Sequence, residues 1–306
     1  MKKDNCLITG ANGFFGKIIS NSLEVQNSYN ITGLSRTETL GVKADLAKPF
    51  TFPTTTQVDI LIHAAGKAHV VPKTPKEVKE FLDINLMGTQ NLCNSLESLS
   101  ELPKSMVFIS TVAVYGVTDG ELIPESHPLN GDNPYAVSKI LAEEWLKDWA
   151  KKNNVTLGIL RMPLIAGPSA PGNLGAMING IQKGRYFGIG DSSARKSVVW
   201  AADVADIIPK LSDIGGVYNL TDNYHPSFYE LQEVIAEALM KKSPKNLPLP
   251  IAKTIAKIGD YLGNRAPVNT SKLDKMLATL TFDDSKAFTE LNWRPSRVLD
   301  KLPTVL

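Results

Sequence analysis

Apolar residues follow two rhythms along this chain, and its first two-thirds alternate between them. Five short runs read as buried strands: Cys6-Leu-Ile-Thr9, Asn30-Ile-Thr-Gly-Leu34, Val58-Asp-Ile-Leu-Ile-His63, Met106-Val-Phe-Ile-Ser110 and Thr156-Leu-Gly-Ile-Leu160. Between them lie stretches with helical spacing. One opens at Gly16; in another Val78, Leu82, Asn85, Thr89, Leu92 and Leu96 recur at three- and four-residue steps. This alternation predicts an α/β fold, a Rossmann-type doubly wound parallel sheet with crossover helices. Asn85 falls on the helix face turned toward the sheet. A polar residue there either satisfies backbone groups or touches a ligand.

From about residue 163 the texture changes. Pro163, Gly167, Pro168, Pro171, Gly172 and Gly175 come close together, as in loops lining a cleft. Residues 201–211 read as a helix returning to the sheet, and 227–241 and 251–262 as further helices. The predicted organisation is a dinucleotide-binding domain over residues 1–165, to which 196–220 return, and a smaller C-terminal substrate-binding lobe from 166–195 and 221–306. The 251–262 helix is amphipathic, and packing on its own core is favoured over lying on a membrane.

Gly10, Gly13 and Gly16 directly follow the first strand and open a helix. The first permits a tight turn, the second lets backbone approach a pyrophosphate at the helix N-terminus, and the third lets helix and strand pack closely. The stretch Gly10, Asn12, Gly13, Phe14, Phe15, Gly16 is therefore the predicted dinucleotide site. Ser35-Arg36 ends the second strand, where an acidic residue would read a ribose 2′-hydroxyl. A cation and a hydroxyl instead suit a 2′-phosphate, so NADP(H) is favoured; if Arg36 is merely solvated, NAD(H) stays open. Asp45 and Leu46 could hold the adenine edge. Ala64, Ala65 and Gly66 are small enough to let the cofactor pass, and Pro163 is placed on the cofactor side. His63 reads as structural.

Asn133-Pro-Tyr135-Ala-Val-Ser-Lys139 begins another helix, with Asn133 or Asp132 as its cap. Tyr135 and Lys139 are one turn apart on one face. A nearby ammonium and an oxidised nicotinamide ring favour the phenolate and lower its pKa, so that the phenol can exchange a proton while hydride moves. Thr111, at the end of a strand, offers a hydroxyl to the same substrate oxygen.

Composition adds exclusions. A net charge of +2 over 306 residues suggests neither a nucleic-acid footprint nor a basic membrane patch, and two cysteines build neither a disulfide framework nor a metal knot. Cys6 and Cys93 read as small buried hydrophobes in a reducing compartment. No metal is expected. No apolar stretch reaches 18 residues, so neither membrane insertion nor a secretory signal is expected, and the location read from this is cytoplasmic.

Taken with His63-Ala-Ala-Gly66, Asn85-Leu-Met-Gly-Thr89, Ser110-Thr-Val-Ala-Val-Tyr-Gly116 and Leu291-Asn-Trp-Arg-Pro295, these motifs make the chain resemble the NAD-dependent epimerase/dehydratase family. These are extended short-chain dehydrogenases acting on nucleotide sugars. The resemblance implies a catalytic triad of Thr111, Tyr135 and Lys139, with Lys139 also holding the nicotinamide ribose and Asn85 on the cofactor side. It implies substrate diphosphate contacts at Asn173, Leu174, Arg195 and Lys196. Where many members carry Asn, Leu164 stands here. Val112-Ala113 lacks the Asp-Glu pair of the resembling dehydratases and the cysteine of GDP-fucose-type epimerase-reductases. The expectation is therefore oxidation and reduction at one carbon. Reduction of a UDP-4-keto-6-deoxy-hexosamine at C4 for surface polysaccharides, as in the UDP-N-acetylquinovosamine type, is preferred over 4-epimerisation of UDP-glucose or UDP-N-acetylglucosamine with tightly bound NAD. A hydroxysteroid-type dehydrogenase would not need Asn173 and Arg195, and a non-catalytic cofactor sensor would not need an intact triad. A homodimer is left open.

Overall fold

The computed structural model describes residues 3–37, 41–68, 70–262 and 269–306. The first half runs β1 (Asp4–Thr9), α1 (Phe14–Gln26), β2 (Tyr29–Ser35), β3 (Gly41–Lys43), β4 (Ile60–His63), α2 (Pro75–Phe81), a π-helical turn (Leu82–Met87), α3 (Gly88–Leu96) and β5 (Ser105–Thr111). It continues with β6 (Gly120–Ile123), α4 (Pro134–Asn153), β7 (Thr156–Met162), β8 (Leu164–Ala166), α5 (Gly172–Gln182), β9 (Gly188–Ile189), β10 (Val198–Trp200), α6 (Val204–Ile214) and β11 (Gly216–Asn219). Last come α7 (Phe228–Ala238), β12 (Asn246–Leu247), α8 (Leu249–Leu262), α9 (Thr270–Leu277), β13 (Leu280–Phe282), α10 (Ser285–Glu290) and α11 (Val298–Lys301).

Seven strands form one parallel sheet in the order β3-β2-β1-β4-β5-β7-β11. The chain steps outward from β1 to β3, then returns to the other side of β1 through β4. The crevice beyond the carboxyl ends of β1 and β4 is thus the place where strand order reverses, and open α/β sheets bind ligands at such a point. Both sheet faces are buried, as continuous apolar runs predict. Ile8, Ile62 and Val107 pack beneath Ile19 and Leu23 of α1 and Ile208 and Leu211 of α6. Leu7, Leu61, Met106 and Phe108 face Leu92 and Leu96 of α3 and Leu146 and Trp149 of α4. Cys6 and Cys93 are free and buried.

Two elements depart from the sequence reading. The long helix over 78–96 is interrupted by the π-helical turn Leu82–Met87, which carries Asn85. Asn85 is buried on the inward side, as the spacing predicts, and what the spacing does not reveal is the local widening of the helix around it. The amphipathic helix α8 also seats itself differently. Its small residues Ala252 and Ala256 pack on Leu273, while Ile251, Ile255 and Ile258 face outward. The helix does pack on a small core, but through its alanines: α8 and α9 approach closely at Ala252 and Ala256, and that leaves the isoleucines exposed.

Candidate active site

The glycine turn is built as its spacing predicts. Gly10 has φ +71°, a region where glycine alone is unstrained, and an added Cβ would lie 2.8 Å from the Ala65 backbone. A Cβ on Gly16 would stand 2.2 Å from the Gly10 carbonyl oxygen, so strand and helix meet in backbone contact. Gly13 is the N-cap of α1 and supplies no side-chain cap, which leaves the first-turn N–H groups to an anion. A pyrophosphate fits this cradle. Asn12 donates to Ser35 Oγ at 3.0 Å and to Thr37 Oγ1 at 2.8 Å, tying the turn to the end of β2, where Arg36 is exposed.

The remaining cofactor-side residues fall around this crevice with unequal access. Ala64 and Ala65 are half-buried after β4, and Gly66 is exposed; Pro163 is half-buried between β7 and β8. Asp45 is exposed and accepts the Ala47 N–H at 3.2 Å. The side chains of Leu46 and Phe15 are core, and Phe14 packs against two core clusters. Asn85 resolves toward the backbone option. Its Oδ1 accepts the Lys67 N–H at 2.7 Å, and its Nδ2 donates to the Lys67 carbonyl at 3.1 Å and to Ser138 Oγ at 2.9 Å. It clamps the turn after β4 onto α4. His63 is a buried strut, 2.6 Å from Thr9 Oγ1 and 2.9 Å from Thr89 Oγ1. Burial, with the Lys139 charge second, pushes its pKa down to about 3, so it is neutral.

The predicted triad lies at the carboxyl end of β5. Asn133 caps α4 by accepting the Ala136 N–H at 3.0 Å, with Pro134 behind it, and this starts the helix so that Tyr135 and Lys139 face inward. Lys139 is buried. Its ammonium donates to the Ile109 carbonyl at 2.8 Å and sits 4.2 Å above the centre of the Phe108 ring. Desolvation lowers its pKa to about 8, against the opposing pull of Glu143 one turn on. Tyr135 packs 6.2 Å from the Phe81 ring. Its phenol is pushed up by burial, and a hydrogen bond with Thr111 opposes the rise. The sequence reading anticipated a phenol lowered by Lys139. In the protein alone the lysine spends its charge on Ile109 and Phe108, and the phenol stays protonated at neutral pH.

Sequence reasoning missed the layer beneath. Glu143 accepts from Ser110 Oγ and pairs with Arg161, which also donates to the Tyr115 hydroxyl at 3.2 Å. Tyr115 in turn donates to Asn219 Oδ1 at 2.7 Å. This buried chain ties the ends of β5, β7 and β11 together. Glu143 stands four residues after Lys139 on one helix, and that spacing was the available signal.

The predicted substrate residues are scattered. Asn173 is exposed at the start of α5, whereas Leu174 is core. The Arg195 guanidinium donates to the His225 carbonyl at 2.9 Å and lies 3.6 Å from Glu230. Lys196 is half-buried, and desolvation lowers its pKa, opposed by Asp119. Among the described residues, no helix is long and apolar enough to cross a membrane.

A doubly wound sheet with this glycine cradle, and with Thr111, Tyr135 and Lys139 gathered beside it, defines a nicotinamide-dependent enzyme of the short-chain dehydrogenase type. Residues 6–220 match the model of the NAD dependent epimerase/dehydratase family, and the chain belongs to that family. It is 26% identical, over 92% of its length and 88% of the relative's, to the N-acetyl-α-D-glucosaminyl-diphospho-ditrans,octacis-undecaprenol 4-epimerase of Escherichia coli O157:H7. It is 25% identical, over 96% and 92%, to the UDP-glucose 4-epimerase of Vibrio cholerae. The UDP-glucose 4-epimerase structure from Thermotoga maritima superposes with a TM-score of 0.76 at 18% identity, over 98% of this chain and 96% of that one, which marks a shared fold.

Proposed function

We propose that this protein is a C4 oxidoreductase of diphosphate-linked sugars, reducing a UDP-4-keto-6-deoxy-hexosamine on the way to surface polysaccharide. The observation that carries the reading is Tyr135, which burial keeps protonated beside Thr111 at the end of β5. A neutral phenol at pH 7 is a proton donor, as reduction of a ketone requires. The glycine turn at Gly10–Gly16 and exposed Arg36 at the end of β2 would hold NADPH, which when bound would supply a hydride for C4. Tyr135 gives its proton to the former carbonyl oxygen, Thr111 orients that oxygen, and solvent reprotonates the phenolate. Lys139 would hold the ribose of the bound cofactor, and its ammonium would stabilise the phenolate as it forms. Val112 and Ala113 carry no proton-transfer group, so elimination of water is not supported. Asn173, Arg195 and Lys196 are assigned to the diphosphate, with 166–195 and 221–306 as the substrate lobe.

A second reading is favoured by the two curated relatives, both 4-epimerases that match nearly full length. An epimerase oxidises and re-reduces the same carbon without net use of cofactor. Protein stripped of cofactor would be given a UDP-4-keto-6-deoxy-hexosamine with NADPH and, separately, UDP-N-acetylglucosamine with catalytic NAD⁺. Loss of the reduced-nicotinamide absorbance in step with substrate is the expected result. Interconversion of gluco and galacto sugars in the second tube, with none in the first, replaces the reductase by the epimerase.

A further inference from the structure

We propose that the outward face of α8 is a docking surface for an anionic membrane. The helix is held to the protein by its small residues: Ala252 and Ala256 pack on Leu273, and Asp260 accepts the Thr270 N–H at 3.0 Å. Its large apolar residues do the opposite. Ile251, Ile255, Ile258 and Tyr261 are 50%, 45%, 57% and 94% exposed. At 100° per residue the three isoleucines fall within an arc of about 60°, a continuous apolar stripe. Tyr261 lies on one flank of the stripe, with exposed Lys257 beyond it, and the protein covers the other flank. A helix with an apolar stripe, an aromatic at its edge and lysines on its polar side lies flat in the headgroup region, burying the stripe in the acyl boundary.

Charge selects the occupant. Residues 241–275 carry eight Lys and Arg, at 241, 242, 245, 253, 257, 265, 272 and 275, against two Asp, at 260 and 274. That is a net of +6 in a chain whose total is +2, so everything outside this segment sums to −4. The basic charge of the sequence is thus concentrated in the segment that contains α8, and exposed Lys253 and Lys257 lie on α8 itself. A second protein copy would bring the same positive charge against itself, whereas an anionic lipid surface attracts it. The stripe supplies depth and the lysines supply attraction, the two contributions that set how strongly an interfacial helix binds. Docking of this face is independent of which reaction the site performs, and the test reads binding alone.

The full chain would be sedimented with sucrose-loaded vesicles of phosphatidylcholine alone and of equal phosphatidylcholine and phosphatidylglycerol. The expected result is sedimentation with the anionic vesicles, little with the neutral ones, and release by high salt. The Ile255→Glu, Ile258→Glu double variant, with its thermal melt unchanged, is expected to bind at least about tenfold more weakly. Lys253→Gln and Lys257→Gln are expected to cost about fivefold each and to flatten the salt dependence. Wild-type protein that stays in the supernatant with anionic vesicles overturns the proposal. So does a glutamate variant that binds as wild type does. A dimer in light scattering that the glutamates dissociate, without vesicle binding by wild type, reassigns the face to self-association.

Discussion

The carboxylate of Glu143 meets the guanidinium of Arg161 at 2.7 Å, with both side chains almost wholly removed from solvent. Glu143 projects from the same face of α4 as Lys139, and Arg161 is the last residue but one of β7, so the pair bolts the catalytic helix to the sheet. Removing one partner strands the other charge in a low-dielectric interior. Glu143→Ala should therefore lower stability by about 3–5 kcal/mol. Chemical denaturation checks this, and replacing both residues by apolar groups of similar volume should recover much of the loss. A Glu143→Ala protein as stable as wild type would mean that the pair is dispensable.

Arg36 tests the cofactor. Arg36→Asp should weaken NADPH binding at least tenfold, because a charge-assisted phosphate contact contributes roughly 1.5–3 kcal/mol. NADH binding should change little or improve. Fluorescence titration with both nucleotides decides it, and equal losses would show that Arg36 does not read the 2′-phosphate.

Tyr135→Phe should leave cofactor binding near normal and lower turnover by roughly 10²–10⁴-fold, the usual contribution of a positioned proton donor. Single-turnover kinetics separate the two effects. Near-normal turnover would hand the proton to another group.

Lys139 gives the site a pH limit. Its ammonium has a pKa near 8 in the protein without cofactor, lowered by desolvation, so it loses its charge as pH rises through that value. Cofactor affinity should fall between pH 7 and 9, and Lys139→Met should bind weakly and without this slope. A flat profile in the wild type would separate Lys139 from the ribose.

His63 predicts acid sensitivity. The unfolded chain protonates this ring near pH 6.5, whereas the folded protein holds it neutral down to about pH 3. Between those values the unfolded state binds the extra proton, so stability falls as pH drops through this window. Thermal melts from pH 7 to pH 4 should show the decline. His63→Gln, which can keep one hydrogen bond but cannot titrate, should show a shallower one.

Much of this protein was legible without coordinates. The strands stood out because both faces of a parallel sheet are buried and the apolar runs are unbroken. The glycine turn stood out because Gly10 and Gly16 sit where no Cβ fits. Tyr135 and Lys139 were found because helix periodicity joins residues one turn apart. Tertiary structure decided what periodicity does not encode. The π-helical turn at Leu82–Met87 is a widening that spacing does not show, and Asn85 within it reaches back to Lys67 and forward 53 residues to Ser138 of α4. The Glu143–Arg161 pair joins two elements through space. In the protein without cofactor Tyr135 is raised because burial removes water from the phenol, while Ile109 and Phe108 hold the ammonium. In α8, sequence showed an amphipathic helix, but which face turns inward was set by its neighbour: Leu273 and α9 accept a close approach through alanine, and the isoleucines are left facing out.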